Sequence, residues 1–158
     1  MASSNRQFGI QTTGVERNAK RLAAIGGRGA DARPAWPLVF QQMRADSEER
    51  FKSEGEGTWP KLADITKDTK ARKGLDPRIM HASNALYRSL TAERGRNTIR
   101  RKAKTQLRFG TKLFYADFHQ RGRGVPKRPV LQLSERTQEE ITRTLSDYVA
   151  VGQLRKKR

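Results

Sequence analysis

Hydrophobic positions recur every three or four residues along several stretches of this chain and every second residue along others, a mixture that predicts helices and strands in one fold. Residues 6 to 12 alternate, with Phe8 and Ile10 on one side, as in a short strand. Val15, Ala19, Leu22 and Ile25 then line one face of a helix that the pair Gly26-Gly27 is expected to end. A second helix is expected over 35 to 52, where Trp36, Phe40, Met43, Ser47 and Phe51 share a face and Pro34 and Pro37 stand near the start. Its polar side is Asp46, Glu48, Glu49 and Arg50, and Glu54-Gly-Glu-Gly57 interrupts it.

Trp59-Pro60 opens a loop containing Leu62, after which Thr66 is expected to cap a short helix running to Gly74. Asp76-Pro77 separates that helix from another over 79 to 91, with Ile79, Ser83, Leu86 and Leu90 as a narrow apolar stripe. Residues 97 to 102 and 105 to 109 read as paired strands, Thr105, Leu107 and Phe109 facing inward and Gln106 and Arg108 facing water. Their link, Ala103-Lys104, lacks preferred hairpin chemistry. A short helix over 113 to 120, a strand over 129 to 133 and a helix over 135 to 150 complete the series. Ser134 is the expected cap of the last helix, and Ile141, Leu145, Tyr148 and Val149 are its apolar face. With no repeat at solenoid spacing, the expected fold class is α+β: a small, mostly antiparallel sheet packed against several helices, with extended loop and terminal arms. One domain is expected over 1 to 154, followed by a basic tail over 155 to 158.

Composition adds the kind of partner. The chain has 158 residues, 34 basic against 16 acidic, and a net charge of +18, so self-repulsion favours an anionic or acidic partner. A domain of this size buries roughly 70% of its unfolded surface, enough for a real core. Cysteine is absent, which removes disulfides and thiolate metal sites. The start lacks an apolar signal core and no run has the length of a membrane span, so a soluble protein made inside the cell, with no membrane partner, is expected. The charge is concentrated: twelve basic residues and one acid, Asp117, lie between positions 94 and 128. Arg94, Arg96, Arg100, Arg101, Lys102, Lys104, Arg108 and Lys112 run without an acid between them, and Arg121, Arg123, Lys127 and Arg128 follow. These twelve are the candidate contacts for DNA or an acidic protein surface, the alternative being a solvated charged hairpin.

Catalytic chemistry is sparse. His81 and His119 are the only imidazoles, and Asp117 with His119 shares a face on a strand but not on a helix, so the pair reads as structural. Gly26-Gly-Arg-Gly29 and Arg121-Gly-Arg-Gly124 lack the Lys-Ser/Thr ending of a phosphate loop and read as connections, and no cofactor is expected. Phe114, Tyr115 and Phe118 are expected to pin a short helix to the core rather than to stack on bases. Trp59 reads as a loop anchor.

In order along the chain, Phe51-x-x-Glu54-Gly55, Trp59-Pro-x-Leu62, Thr66, Lys70 or Lys73, Ile79-Met80 and Leu86-x-x-Ser89-Leu90 are followed by a second group. That group is Phe109-Gly-Thr, Tyr115-Ala-x-x-His119-Gln-x-Gly122 and Pro126-x-Arg128-Pro129-x-Leu131-x-Leu133-Ser134. This set, over residues 35 to 150, resembles phage virion-morphogenesis proteins, although Asn84-Ala85 stands where that family commonly has a Gly before the Leu, and the strand region is unusually rich in arginine. Trp59, Leu62, Leu86, Tyr115, Phe118 and Pro129 are the motif anchors. The resemblance implies a non-enzymatic ring subunit, six copies by analogy, at the head-to-tail junction of a tailed phage. It would be assembled in the host cytoplasm, beside connector and tail proteins and around double-stranded DNA. The competing expectation is a free basic DNA- or RNA-binding architectural protein.

Overall fold

The computed structural model describes residues 13–154, and among these it forms six helices and one two-stranded antiparallel sheet. The strand expected over 6 to 12 and the basic tail 155 to 158 lie outside the described residues. Helix α1 spans Thr13–Ala30, α2 Trp36–Lys52, α3 Asp64–Arg72 and α4 Ala85–Thr91. Strands β1, Thr98–Lys102, and β2, Leu107–Thr111, follow, then α5, Tyr115–Arg121, and α6, Glu135–Val151. The α+β class holds.

Helix α2 is the central element. It has no side-chain cap, and Pro37 sits in its first turn, where no backbone N–H is needed. Its buried face divides the core in two: Trp36, Val39 and Phe40 pack with Ala32, while Phe51 packs with Trp59, Ile79, Leu86, Leu90, Ala116 and Val130. Phe109 of β2 touches both groups. Phe51 is fully buried and meets the rings of Trp59, His81 and Tyr87 edge-on at 5.5–5.6 Å. After α2 the backbone is left-handed at Glu54, Gly55, Glu56 and Gly57 in succession. At Gly55 a Cβ would stand 2.3 Å from Trp59, so glycine there makes room for the indole.

Helix α6 follows its sequence signals. Ser134 accepts from the Thr137 N–H at its start, Gly152 is left-handed at its end, and Tyr148 donates its hydroxyl to the Asp31 carbonyl at 2.9 Å. Helix α1 does not stop at Gly26-Gly27 but continues to Ala30. The extra turn brings Arg28 onto the end of α6, where its guanidinium donates to the Val149 and Ala150 carbonyls at 2.7 and 2.8 Å. Those bonds help offset the cost of Gly26, Gly27 and Gly29 in the helix, roughly 1 kcal/mol each.

Four further expectations are corrected. The N-cap of α3 is Ala63 and not Thr66, which lies inside the helix. Residues 79 to 84 are a loop, because Lys70 Nζ binds the carbonyls of Asp76 and Arg78 at 2.8 and 2.6 Å and the backbone is left-handed at Met80 and Asn84. Ile79 is buried from this loop, held by its N–H on Glu54 Oε1, whereas Ser83 is exposed. Residues 129 to 133 form no strand, since Gln120 Oε1 accepts from the Val130 and Leu131 N–H groups at 2.9 and 3.0 Å in place of a neighbouring strand. The hairpin link is four residues, 103 to 106, so Thr105 lies in the turn and is exposed. Trp36 Nε1 donates to the Ala103 carbonyl at 2.7 Å and Ala32 N to the Lys104 carbonyl at 2.7 Å, which fixes this turn against α2 without special turn residues.

Candidate functional site

The β1–β2 ribbon pairs Thr98 with Thr111, Ile99 with Gly110, Arg100 with Phe109, Arg101 with Arg108 and Lys102 with Leu107. Directly paired residues share a face, so Arg100 and Phe109 point together toward α2. There the Phe40 and Phe109 ring centroids are 6.3 Å apart, and the Arg100 guanidinium lies 4.4 Å from the Phe40 centroid while donating to the Glu93 carbonyl. On the other face Arg101 and Arg108 stand opposite each other, both exposed. Like charges in that position are destabilising. Neither has an ion pair or hydrogen-bonded partner for its side chain among the described residues, nor do Lys102 or Lys112. Lys104 is exposed in the turn and acts at range on Asp31, whose carboxyl is held at about 2, chiefly by hydrogen bonds from Arg33.

The twelve candidate contacts thus separate into three groups. Arg94, Arg96, Arg101, Lys102, Lys104, Arg108 and Lys112 are exposed on or beside the ribbon. Arg121 and Arg123 are exposed but share Asp117, at 2.6 and 3.5 Å, and Lys127 is exposed beside them. Arg100 and Arg128 are structural. Arg128 is 5% exposed and donates to the Pro60 and Lys61 carbonyls at 2.7–3.2 Å, tying the loop after α5 to the Trp59 loop. The basic stretch from Arg121 to Arg128 therefore ends in an anchor.

Among the motif anchors, Trp59 and Leu86 are buried and Leu62, Tyr115 and Pro129 are half-buried. Phe118 is not an anchor. Helix α5 seats itself through Leu113, Tyr115 and Ala116, which leaves Phe114 78% and Phe118 41% exposed, their rings 6.2 Å apart edge to face. The helix is rotated from the expected face, and the cause is local: Thr111 Oγ1 accepts from the Leu113 N–H and so directs Leu113 inward.

Asp117 and His119 diverge on α5, as a helix requires. Asp117 goes to its two arginines, while burial and then the charge of Arg128 hold His119 below its ordinary pKa. His81 is buried, with Nδ1 2.6 Å from Asn84 Oδ1. Among the described residues no group of three or more histidines and carboxylates is placed to hold a metal ion, and no helix is long and apolar enough to cross a membrane. Sequence patterns did not reveal a groove of about 600 Å³ between α3, the 80–84 loop and α5, because its walls come from four separated segments.

The model of the phage virion morphogenesis family matches residues 10–150 of the chain. Comparison with curated proteins and with solved structures finds no match.

Proposed function

The chain belongs to the phage virion morphogenesis family, and on that footing we propose that it is a non-enzymatic structural subunit of the head-to-tail junction of a tailed phage. Copies associate head to tail in a ring, six by analogy, that completes or joins the tail around the DNA channel. Contacts of that kind close when the rotation between neighbours closes. The observation that supports this reading is the ribbon, whose Arg101, Lys102, Arg108 and Lys112 have no ion-pair partner among the described residues and whose Arg101–Arg108 pair opposes itself. Such a surface is completed by a partner.

A ring whose lumen held every cation would grip DNA too tightly for release, since affinity rises steeply with each phosphate neutralised. The ribbon therefore docks on acidic surfaces of neighbouring subunits, and a smaller set of cations meets the DNA end. Phe114 and Phe118 add an exposed apolar anchor of the type that dominates protein contacts. Native mass spectrometry across a concentration series tests the reading. A single closed oligomer, weakened by Phe114→Ser or Arg108→Glu, is expected.

A two-stranded ribbon also has the width of a DNA major groove, which favours a second reading as a free nucleic-acid-binding protein. Monomers that never associate, yet bind duplex with a steep salt dependence, would select it.

A further inference from the structure

The groove beside α5 has apolar walls, including Leu62, Leu86, Tyr115 and Val125, two cationic side chains, Lys70 and Arg128, and the imidazole of His119. Lys70 and Arg128 are 7% and 5% exposed, and the hydrogen bonds they make all go to uncharged backbone carbonyls. Neither forms an ion pair among the described residues. Glu54 acts on both, and Asp76 on Lys70, only at longer range. Lys70 uses two of its three donors, and Arg128 Nη1 has no partner among the described residues. The buried Nδ1 of His119 also has none. Burial pushes all three groups toward their neutral forms, and Arg128 adds to that push on the other two. Carbonyl dipoles solvate a cation without cancelling its charge, and the carboxylates act only at longer range, so incompletely compensated positive charge faces an apolar hollow.

Two kinds of anion fit that charge differently. The phosphates of a duplex need cations that reach outward, as those of the ribbon do, whereas Lys70 and Arg128 are recessed behind apolar walls. An extended peptide matches both properties, with apolar side chains for the walls and a carboxylate for the cations.

We propose that this groove is a docking site for an extended segment of a partner protein in which apolar and acidic residues alternate. Its apolar side chains lie against Leu62, Leu86 and Tyr115, and a carboxylate accepts from Arg128. The site does not depend on where the subunit stands in a particle or on whether a ring forms.

The test is a titration of the ¹⁵N-labelled full chain with a blocked octapeptide of alternating leucine and aspartate, and with the same peptide carrying asparagine for aspartate. The expected result is saturable amide shifts at Ala63, Ala85 and Val125, a shift of the His119 imidazole, and about ten-fold weaker binding of the asparagine peptide. Ala63→Glu and Ala82→Glu put a carboxylate at exposed positions of the rim, outside the core. Each is expected to weaken the acidic peptide about ten-fold with an unchanged melting temperature. Equal binding of the two peptides, shifts confined to residues 98 to 111, or no saturable shift at millimolar peptide would each overturn the proposal.

Discussion

At Gly55 the backbone is left-handed, with φ of 70°, and Trp59 closes over it only because there is no Cβ, which would stand 2.3 Å from the indole. Gly55→Ala adds backbone strain and a clash with a buried indole, so a loss of about 3 kcal/mol is expected. Gly26 is the opposite case, since it lies within α1 with nothing within 4 Å of its Cβ position. Gly26→Ala is expected to gain about 0.5–1 kcal/mol. Urea unfolding of both variants checks the pair of signs. His119 makes a third prediction. Its folded-state pKa lies below the ordinary 6.5, so between the two values the unfolded chain binds more protons and stability falls as pH falls. The melting temperature should drop as pH is lowered from 7 through 6.5 and below, and His119→Gln should flatten that part of the curve. At this scale the sequence reveals that Trp59 is an anchor but not what accommodates it. It locates Arg128 within a basic stretch, but charge alone does not disclose that the side chain is clamped on two carbonyls 67 and 68 residues away.

The ribbon shows what register does to charge. Arg101 and Arg108 are exposed and directly opposed, so Arg108→Glu turns a repulsive pair into an attractive one and should stabilise the isolated chain by about 0.5 kcal/mol. The same change should reduce self-association, so a rise in melting temperature accompanied by loss of oligomer distinguishes a docking ribbon from a structural one. Helices α2 and α6 were legible because their information is local: an apolar face of the right period and, for α6, Ser134 before it and Gly152 after it. The start of α4, the 129–133 segment and the seating of α5 were not. In each, a side chain takes over a backbone group, namely Lys70 on the 76 and 78 carbonyls, Gln120 on two N–H groups and Thr111 on Leu113. Periodicity records which residues are apolar, and it is silent about which amide or ammonium will capture a neighbouring strand's partner.

Across the described residues, seven exposed cations lie on or beside the ribbon, whereas of the buried ones Lys70 and Arg128 meet carbonyls and Arg50 pairs with Glu56. Among the described residues, helix α1 is a second exposed feature. Residues 16 to 24 are all exposed, Leu22 to 67%, and contact with α6 is made near its end through Arg28. A helix draws most of its stability from packing an apolar face, so this one is suited to gain from a neighbour. The groove became visible only once α3, α5 and two loops were brought together. The most direct test of the central claim is a cryo-electron microscopy reconstruction of the phage tail and its junction with the head. A closed ring of this chain at the junction is expected, with residues 94 to 112 seated on acidic surfaces of adjacent subunits. A reconstruction in which the chain is absent from the junction, or in which that ribbon is wholly exposed to solvent, would contradict it.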